Sequence, residues 1–187
     1  MEFCRKPVLK KNRRSILSAH LLVRFFTVAM VSQTAIVKAD APTPDPLFHI
    51  ERNKNANIVQ YDAQVGENGL LYSKKPVEVY WVRLASDGEV KELTWVQKKY
   101  AYGVTVKLHK DKSTARLKMA ANLGRSIRIG RDGGDYRAIA DIDGLSSYID
   151  KIFIHATGSG TSTKVDYIDI FGVTVNGHKE QFERFTP

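Results

Sequence analysis

The sequence predicts an all-β domain, an antiparallel β-sandwich with one short helix, from three observations. Apolar and polar side chains alternate along most of residues 47–187, which is the period of a β-strand. Turn-forming residues separate these segments about every ten residues, as in sandwiches. Helical spacing occurs in only one stretch, "LTWVQKKYAYG" (93–103). A closed β-barrel with an interior ligand cavity is the alternative, because it has the same strand pattern.

The chain divides into an export signal (1–41), a proline-rich linker (42–46) and a single β-rich domain (47–187). Most of the net charge of +9 lies in the signal. Its basic run precedes the apolar "FFTVAMV" and the small residues around Ala41, which is typical of an exported protein. A twin-arginine signal is a variant of this interpretation. We therefore expect a periplasmic or secreted protein, without a stable transmembrane span after cleavage.

Nine strands are predicted in chain order from the alternation of apolar and polar residues. They cover residues 58–65, 77–84, 104–109, 114–120, 126–130, 136–142, 148–156, 165–175 and 178–185. The turns between them contain Asn68–Gly69, Asp87–Gly88, "KDKS" (110–113), "RDGGD" (131–135), "TGSGTST" (157–163) and Asn176–Gly177. Such pairs and glycine-rich stretches are common hairpin turns.

The helix is predicted because Thr94 and Gln97 have the spacing of a capping box and Gly103 can end it. Five aromatic residues lie around it: Tyr80, Trp81, Trp95, Tyr100 and Tyr102. We expect them to be buried as a plug that seals one end of the fold. Exposed, the same rings could stack on sugars.

Several stretches, in this order, resemble an uncharacterised family of exported bacterial domains, a domain of unknown function. They are "PLFHIERNKNANIVQYDA" (46–63), "PVEVYWVR" (76–83), "YAYGV" (100–104), "KIFIHATG" (151–158), "VDYIDIFG" (165–172) and "NGHKEQFERF" (176–185). The resemblance covers residues 46–187. It implies an exported, β-rich single domain, and it implies no reaction, substrate or cofactor.

The first of these stretches contains the best candidate site. In an extended chain His49 and Glu51 lie on one face and Arg52 on the other, and asparagines follow that favour turns. The candidate binding residues are His49, Glu51, Arg52, Asn55, Asn57 and Tyr102. The histidine could act as an acid or base in a polar pocket. Alternatively, the cluster is a structural junction between a strand and a loop.

A second candidate site is a basic face. From Lys107 to Arg131 the chain has eight basic residues and only one acidic residue, Asp111. Alternation places Arg116, Lys118 and Arg128 on the solvent side of adjacent strands, where they could bind an anionic ligand such as a phosphorylated glycan or a lipid headgroup. The alternative is a solvated face that resists aggregation.

Familiar catalytic and metal-binding signatures are missing from the sequence. The only cysteine is Cys4, the histidines are not spaced as metal ligands, and no HExxH occurs. "DIDG" (141–144) and "DGGD" (132–135) have the composition of turns, and Ser159 near His155 lacks the nucleophile elbow. We therefore assign no catalytic residue, no metal and no cofactor.

These observations favour a non-enzymatic binding module of the bacterial envelope, whose partner is a glycan, a lipid or a protein. Nucleic acid is an unfavoured partner, since most of the basic excess belongs to the leader. The alternative is a hydrolase or lyase of envelope polymers that uses the cluster of His49, Glu51 and Arg52.

Overall fold

The computed structural model describes residues 41–121, 123–159, 162–177 and 179–187. They belong to one compact unit, Lys38–Pro187. The export signal predicted for residues 1–41 lies outside the described residues, apart from Ala41. His178 also lies outside them.

The described chain forms 11 strands, one α-helix and one short 3-10 turn (Leu84–Ser86). The strands are β1 (Thr43–Arg52), β2 (Asn55–Val65), β3 (Val77–Arg83), β4 (Glu89–Glu92), β5 (Val104–Leu108), β6 (Ala115–Met119), β7 (Ile127–Asp132), β8 (Asp135–Ile142), β9 (Leu145–Thr157), β10 (Lys164–Thr174) and β11 (Glu180–Phe185). The helix α1 is Trp95–Tyr100. The prediction of an all-β fold with one short helix is confirmed.

All 11 strands belong to a single sheet, which is curled into an open half-barrel. The hydrogen-bonded order is β4-β3-β2-β1-β9-β8-β7-β6-β5, and β10 pairs with both β9 and β11. Every pairing is antiparallel except that of β1 with β9, which is parallel where His49–Arg52 meet Lys151–Ile154. The curl lets buried side chains from distant strands meet in one core.

Strand β9 joins the parts of this sheet because it is long enough to pair with three other strands. Its first residues, Leu145 to Tyr148, pair with β8, and Lys151 to Ile154 pair with β1 on the same edge. Its other edge pairs with β10 from Ser147 to Thr157. An irregularity in the β9–β10 register falls between these two segments, opposite Phe171 and Gly172.

The predicted linker is part of the sheet. Residues 43–46 form the beginning of β1 and pair with β2 from Val65 back to Asp62. Proline is compatible with this position because β1 pairs with β9 only from His49 onward, so the prolines lie where one edge of the strand has no β9 partner.

The core lies on the face of the sheet that carries the alternate, buried residues of each strand. Phe48 and Tyr61 stack there at a centroid distance of 4.5 Å, and the Tyr61 hydroxyl donates to the Tyr102 carbonyl at 2.8 Å. Burial raises the pKa of Tyr61 well above its ordinary value, so this hydroxyl remains protonated. The contact connects β1 and β2 to the segment that follows α1.

The "DIDG" stretch is a hairpin turn between β8 and β9. Asp143 and Gly144 both have positive φ, with values of 50° and 75°, as the two central residues of a tight hairpin turn do. The Asp143 amide donates to Glu183 Oε2 at 2.8 Å, which ties the turn to β11. The turn therefore has a structural role in its own right.

The capping box predicted for the helix is present, because Thr94 and Gln97 exchange hydrogen bonds between side chain and backbone. The predicted aromatic plug is only partly correct. Trp81 is buried, whereas Trp95 and Tyr100 are 67% and 63% exposed. The six-residue helix faces the sheet with Gln97, whose Oε1 accepts from Trp81 Nε1 at 3.3 Å. Trp95 and Tyr100 therefore lie on its outer side.

A partly buried ion pair between Arg125 and Glu183 holds β11 against the end of β8 and the turn that follows it. Arg125 donates to both Glu183 oxygens, at 2.9 and 2.6 Å, and to the Asp141 carbonyl at 2.6 Å. The hydrogen bonds from Arg125 and from the Asp143 amide lower the pKa of Glu183 to about 2, against the opposing effect of partial burial. The pair is thus fully charged at neutral pH.

We predict that Gly172→Ala destabilises the protein by about 2–3 kcal/mol, because overpacking at a closed position has costs of this order. A Cβ at Gly172 would overlap the Tyr148 carbonyl oxygen and lie 2.8 Å from Ile142 Cδ1. Urea unfolding followed by circular dichroism measures the change.

Gly130→Ala is the matched control, because Gly130 is also a strand glycine but a Cβ there would have its nearest neighbour at 3.5 Å. We expect it to change the free energy of unfolding by less than about 1 kcal/mol. Equal effects of the two substitutions would contradict the proposed crowding at the β9–β10 irregularity.

We predict that Glu183→Gln lowers the free energy of unfolding by about 2 kcal/mol at neutral pH, because it removes charge-assisted hydrogen bonds. The folded pKa of Glu183 is depressed from 4.5 to about 2, so its contribution is complete above pH 4.5 and disappears as the pH falls through 2. Urea unfolding of both proteins at a series of pH values tests this. A difference that stays constant from pH 7 to pH 2 would show that the charge is unimportant.

Candidate functional site

The stretch 46–63 forms β1, a tight turn and most of β2, and its polar residues separate onto two faces of the sheet. His49 and Glu51 lie on the face away from the core, while Ile50 and Arg52 point to the core side. This is the alternation that the sequence predicts. The six candidate residues consequently do not form one site.

His49 and Glu51 belong to an ion-pair cluster on the outer face. His49 Nε2 lies 3.2 Å from Glu51 Oε1, and Lys151 Nζ donates to Glu51 Oε2 at 3.1 Å. Partial burial acts to raise the pKa of Glu51, but the hydrogen bonds from His49 and Lys151 outweigh it, and the pKa is lowered. Glu51 is therefore a stable carboxylate that connects β1 to β9 where the two strands run parallel.

Arg52 lies on the core side, where two aromatic rings enclose its guanidinium. The guanidinium carbon is 4.6 Å from the Trp81 ring centroid and 5.6 Å from that of Tyr102. Its Nη1 donates to the Tyr102 hydroxyl at 2.9 Å and its Nη2 to Asn55 Oδ1 at 3.4 Å. These contacts fix the plane of the guanidinium, and cation–π attraction stabilises its charge.

Two buried polar atoms at this position have no hydrogen-bond partner in the described part of the chain. They are Nε of Arg52 and Oδ1 of Asn57. Asn57 is held through its backbone, whose amide donates to Asn55 Oδ1 at 3.1 Å. Because buried polar groups are nearly always paired, unpaired ones at a cavity indicate a place where a ligand can bind.

Arg52 also has no acidic partner among the residues that the structure describes, since none of their carboxylates forms an ion pair with it. A half-buried cation without a counter-charge is costly. The neutral hydroxyl and amide of Tyr102 and Asn55 solvate it only in part. The positive charge of Arg52 is consequently not neutralised by an ion pair within the described chain.

An apolar cavity of about 390 Å³ adjoins Arg52 on the core side. Its apolar lining comes from strands β1, β6, β9 and β10 and from the segments flanking them, and it includes Ile50, Met119, Leu123, Ile154, Val165 and Ile168. The charged side chains in the described lining are both basic, Arg52 and Lys54. The cavity is therefore suited to an apolar group that carries a negative charge at one end.

Arg52 also borders a second cavity of about 330 Å³, most of whose lining residues carry polar side chains. Trp81 lines this cavity, together with Asn57, Arg83, Lys91, Glu92, Thr94 and Gln97. The guanidinium thus lies at the boundary between an apolar and a polar space. This arrangement matches the two ends of an amphiphilic molecule.

Sequence reasoning placed Arg52, Asn55, Asn57 and Tyr102 in one site, and the structure brings these four together. The sequence analysis did not assign Trp81 to the site. Alternation places Trp81 on the same face of β3 as Val79, and the register places it opposite Val59 in β2. Its pairing with Arg52 depends on the β2–β3 register. The apolar lining comes from strands distant in sequence, and the chain has no local pattern that marks it.

The predicted basic face is exposed. Arg116 and Lys118 lie on β6 and Arg128 on β7, each between buried apolar neighbours. The sequence therefore predicts their orientation correctly. Arg116 borders two surface grooves, of about 400 and 290 Å³.

The other candidate groups stay apart or have structural partners. His155 contacts Asp166 at 3.0 Å and stacks on Tyr167 at 4.7 Å, on the outer face. Ser159 instead lines the apolar cavity.

Within residues 41–121, 123–159, 162–177 and 179–187, no group of three or more histidines, cysteines or acidic residues could hold a metal ion. The same residues contain no helix with the length and hydropathy needed to cross a membrane.

Comparison with known proteins gives a family but no activity. A family model described as Domain of unknown function (DUF4833) matches residues 48–184. This range contains the candidate site and most of the sheet, and the match confirms the resemblance to a domain of unknown function. No curated protein and no solved structure matches the chain.

Proposed function

Because the chain belongs to this family of domains of unknown function, we propose its role from its own residues: a non-enzymatic binding module of the bacterial envelope. Its ligand is an amphiphile with an apolar chain and an anionic head. The observation that carries the proposal is Arg52, a cation without a described acidic partner at the wall of an apolar cavity.

Electrostatics supports an anionic head. Among the described residues, Arg52 Nε has no hydrogen-bond partner, and the other two nitrogens donate only to neutral groups of Tyr102 and Asn55. A carboxylate or phosphate at this position would accept a charge-assisted hydrogen bond from Nε. Lys54, the second cation of the cavity lining, would add to the attraction.

Packing supports an apolar chain. Ligand sites are commonly cavities of about 300–1,000 Å³ with mainly apolar linings and a few fixed polar groups. The cavity at Arg52 has a volume of about 390 Å³ and fits this description. Among the glycan, lipid and protein partners that the sequence leaves open, a lipid-like amphiphile agrees best with such a lining.

The envelope location rests on the leader. Its basic run, apolar segment and small residues before Ala41 are those of an export signal. A carrier or sensor of amphiphilic molecules would meet its ligands in that compartment, since such molecules are abundant at membranes.

A hydrolase or lyase that uses His49, Glu51 and Arg52 is the second candidate. The contact between His49 and Glu51 at 3.2 Å favours it, since a carboxylate can orient an imidazole for proton transfer. The opposite orientation of Arg52 and the engagement of Glu51 with Lys151 weigh against it. We therefore prefer the binding module.

The proposal predicts that the full chain binds dodecanoate, which combines an alkyl chain with a carboxylate. Arg52→Gln should weaken binding about tenfold or more, because a charge-assisted hydrogen bond is lost. Titration below the micellar concentration, followed by calorimetry or by the fluorescence of the nearby Trp81, measures the affinity. Butanoate and dodecanol serve as probes that lack the chain and the charge, and both should bind more weakly.

Two further variants separate binding from folding. Ala121→Phe should block the apolar cavity without removing Arg52, since Ala121 is part of its lining. Arg137→Gln removes one exposed positive charge on β8 and should leave binding unchanged. The proposal would be refuted if the wild-type chain did not bind dodecanoate, or if Arg52→Gln and Ala121→Phe each bound it as strongly as the wild-type chain does.

A further inference from the structure

The strands β5, β6 and β7 carry three cations at directly facing positions. The register pairs Lys107 with Arg116, and Arg116 with Arg128. All three side chains are exposed, on the face away from the buried Ala115, Leu117 and Ile127. We call Lys107, Arg116 and Arg128 the cation row. Neighbouring strands are about 4.8 Å apart, so the row spans about 10 Å.

Among the described strands only this row brings cations to facing positions, whereas the other facing charged pairs are either opposite in charge or both acidic, as in Asp62–Glu78 and Asp132–Asp135. Asp169 faces Arg184 across β10 and β11 and accepts two hydrogen bonds from it, at 2.7 and 2.8 Å. Arg83 faces Glu89 across β3 and β4 at 2.7 Å. Like charges at such positions destabilise a sheet, and opposite charges stabilise it.

None of the three cations forms an ion pair with a carboxylate in the described segments. Asp111, four residues after Lys107, is already engaged. It contacts His109 at 3.2 Å and accepts from the Ser113 amide at 3.0 Å, as part of the β5–β6 turn. The positive charge of the row is thus not neutralised by its own turn.

A groove of about 400 Å³ follows the row. Its described lining contains the three cations, His109 and Thr114, and the apolar Leu108 and Ala115. No acidic side chain is part of that lining. Lys118, two residues beyond Arg116 on the same face of β6, adds a fourth cation beside the groove.

From this arrangement we infer that the cation row is a binding site for a soluble ligand that carries at least two phosphate groups. Two guanidiniums and an ammonium at intervals of about 4.8 Å can each contact a different phosphate oxygen of such a ligand. Arginine binds phosphate through paired N–H donors, and an anion on the row relieves the repulsion among its members. This site is separate from the amphiphile site at Arg52 and does not depend on it.

A soluble ligand is favoured over a bilayer surface by the composition of the face. The large apolar side chains that are exposed in the described chain are Leu84, Val90, Trp95, Val96, Tyr100, Leu145 and Phe182. None of them belongs to β5, β6 or β7. A surface that docks on a bilayer commonly inserts aromatic or aliphatic residues beside its basic residues, and this face offers none.

Inorganic tripolyphosphate is the probe that tests the inference. We expect it to bind the full chain at low ionic strength, and to bind more tightly than orthophosphate. Arg116→Gln should lower the affinity about tenfold or more, because Arg116 is the central member of the row. Since residues 1–41 are themselves basic, the informative quantity is the difference between variants, measured by calorimetry.

Lys164→Gln is the matched control, because it removes one exposed charge at the beginning of β10 and leaves the row intact. It should retain the wild-type affinity. Without ligand, Arg116→Gln should raise the melting temperature by about 1–3 °C, since it relieves like-charge repulsion. With tripolyphosphate, the wild-type chain should gain more stability than this variant does.

Three outcomes would overturn the inference. The first is tripolyphosphate binding that is equal in the wild-type chain, Arg116→Gln and Arg128→Gln. The second is binding to vesicles of anionic phospholipid that requires the row when tripolyphosphate does not bind. The third is a single-stranded oligonucleotide that binds through the row while tripolyphosphate does not, which would assign the site to nucleic acid.

Discussion

Strand β9 carries hydrogen bonds to three strands, and the rest of the sheet depends on its parallel pairing with β1. In the described sheet it is the only strand pairing that connects β1–β4 to the strands that follow them. The two strands meet over only four residue pairs. Their contact is reinforced on the outer face by Lys151 and Glu51, and on the core side by Ile50 and Ile152, both fully buried. On the outer face of β1, Glu51 therefore stabilises the strand pairing, while on the core side Arg52 lines the apolar cavity.

The same pairing determines where the amphiphile site can form. Arg52 is the last residue of β1 and faces Ile154 of β9, so its side chain reaches the core edge where strands from both parts of the sheet meet. Trp81 approaches it from β3 and Tyr102 from the segment after α1. The half-buried guanidinium of Arg52 has no counter-charge among the described residues. Stability alone is a poor explanation for it, because a neutral residue at this position would avoid the desolvation cost. A ligand that supplies the negative charge gives it a physical reason.

Charge is distributed differently on the two halves of the sheet. On β3, β4, β10 and β11, arginines have facing carboxylates, whereas β5, β6 and β7 keep facing cations. Repulsion at a solvated surface is small, because water and salt screen it, so such a row can be tolerated by the fold. It also creates a positive potential that attracts anions. Hence the two proposed sites share a preference for negative charge while differing in the apolar surface that they offer.

The sequence by itself determined nine of the 11 strands, all except β1 and β4, together with the capping box of α1, the hairpin turns and the opposite orientation of Glu51 and Arg52. These follow from local rules: alternation, turn residues and side-chain capping act within a few residues of each other. Tertiary structure alone decided that residues 43–46 pair with β2, that Trp95 and Tyr100 are exposed, and that Trp81 stacks on Arg52. It also decided that Lys107 joins Arg116 and Arg128, and that the strands form one curled sheet. Those features depend on register and on the junction at β9, which bring together residues up to about a hundred positions apart, and no local pattern encodes such pairings.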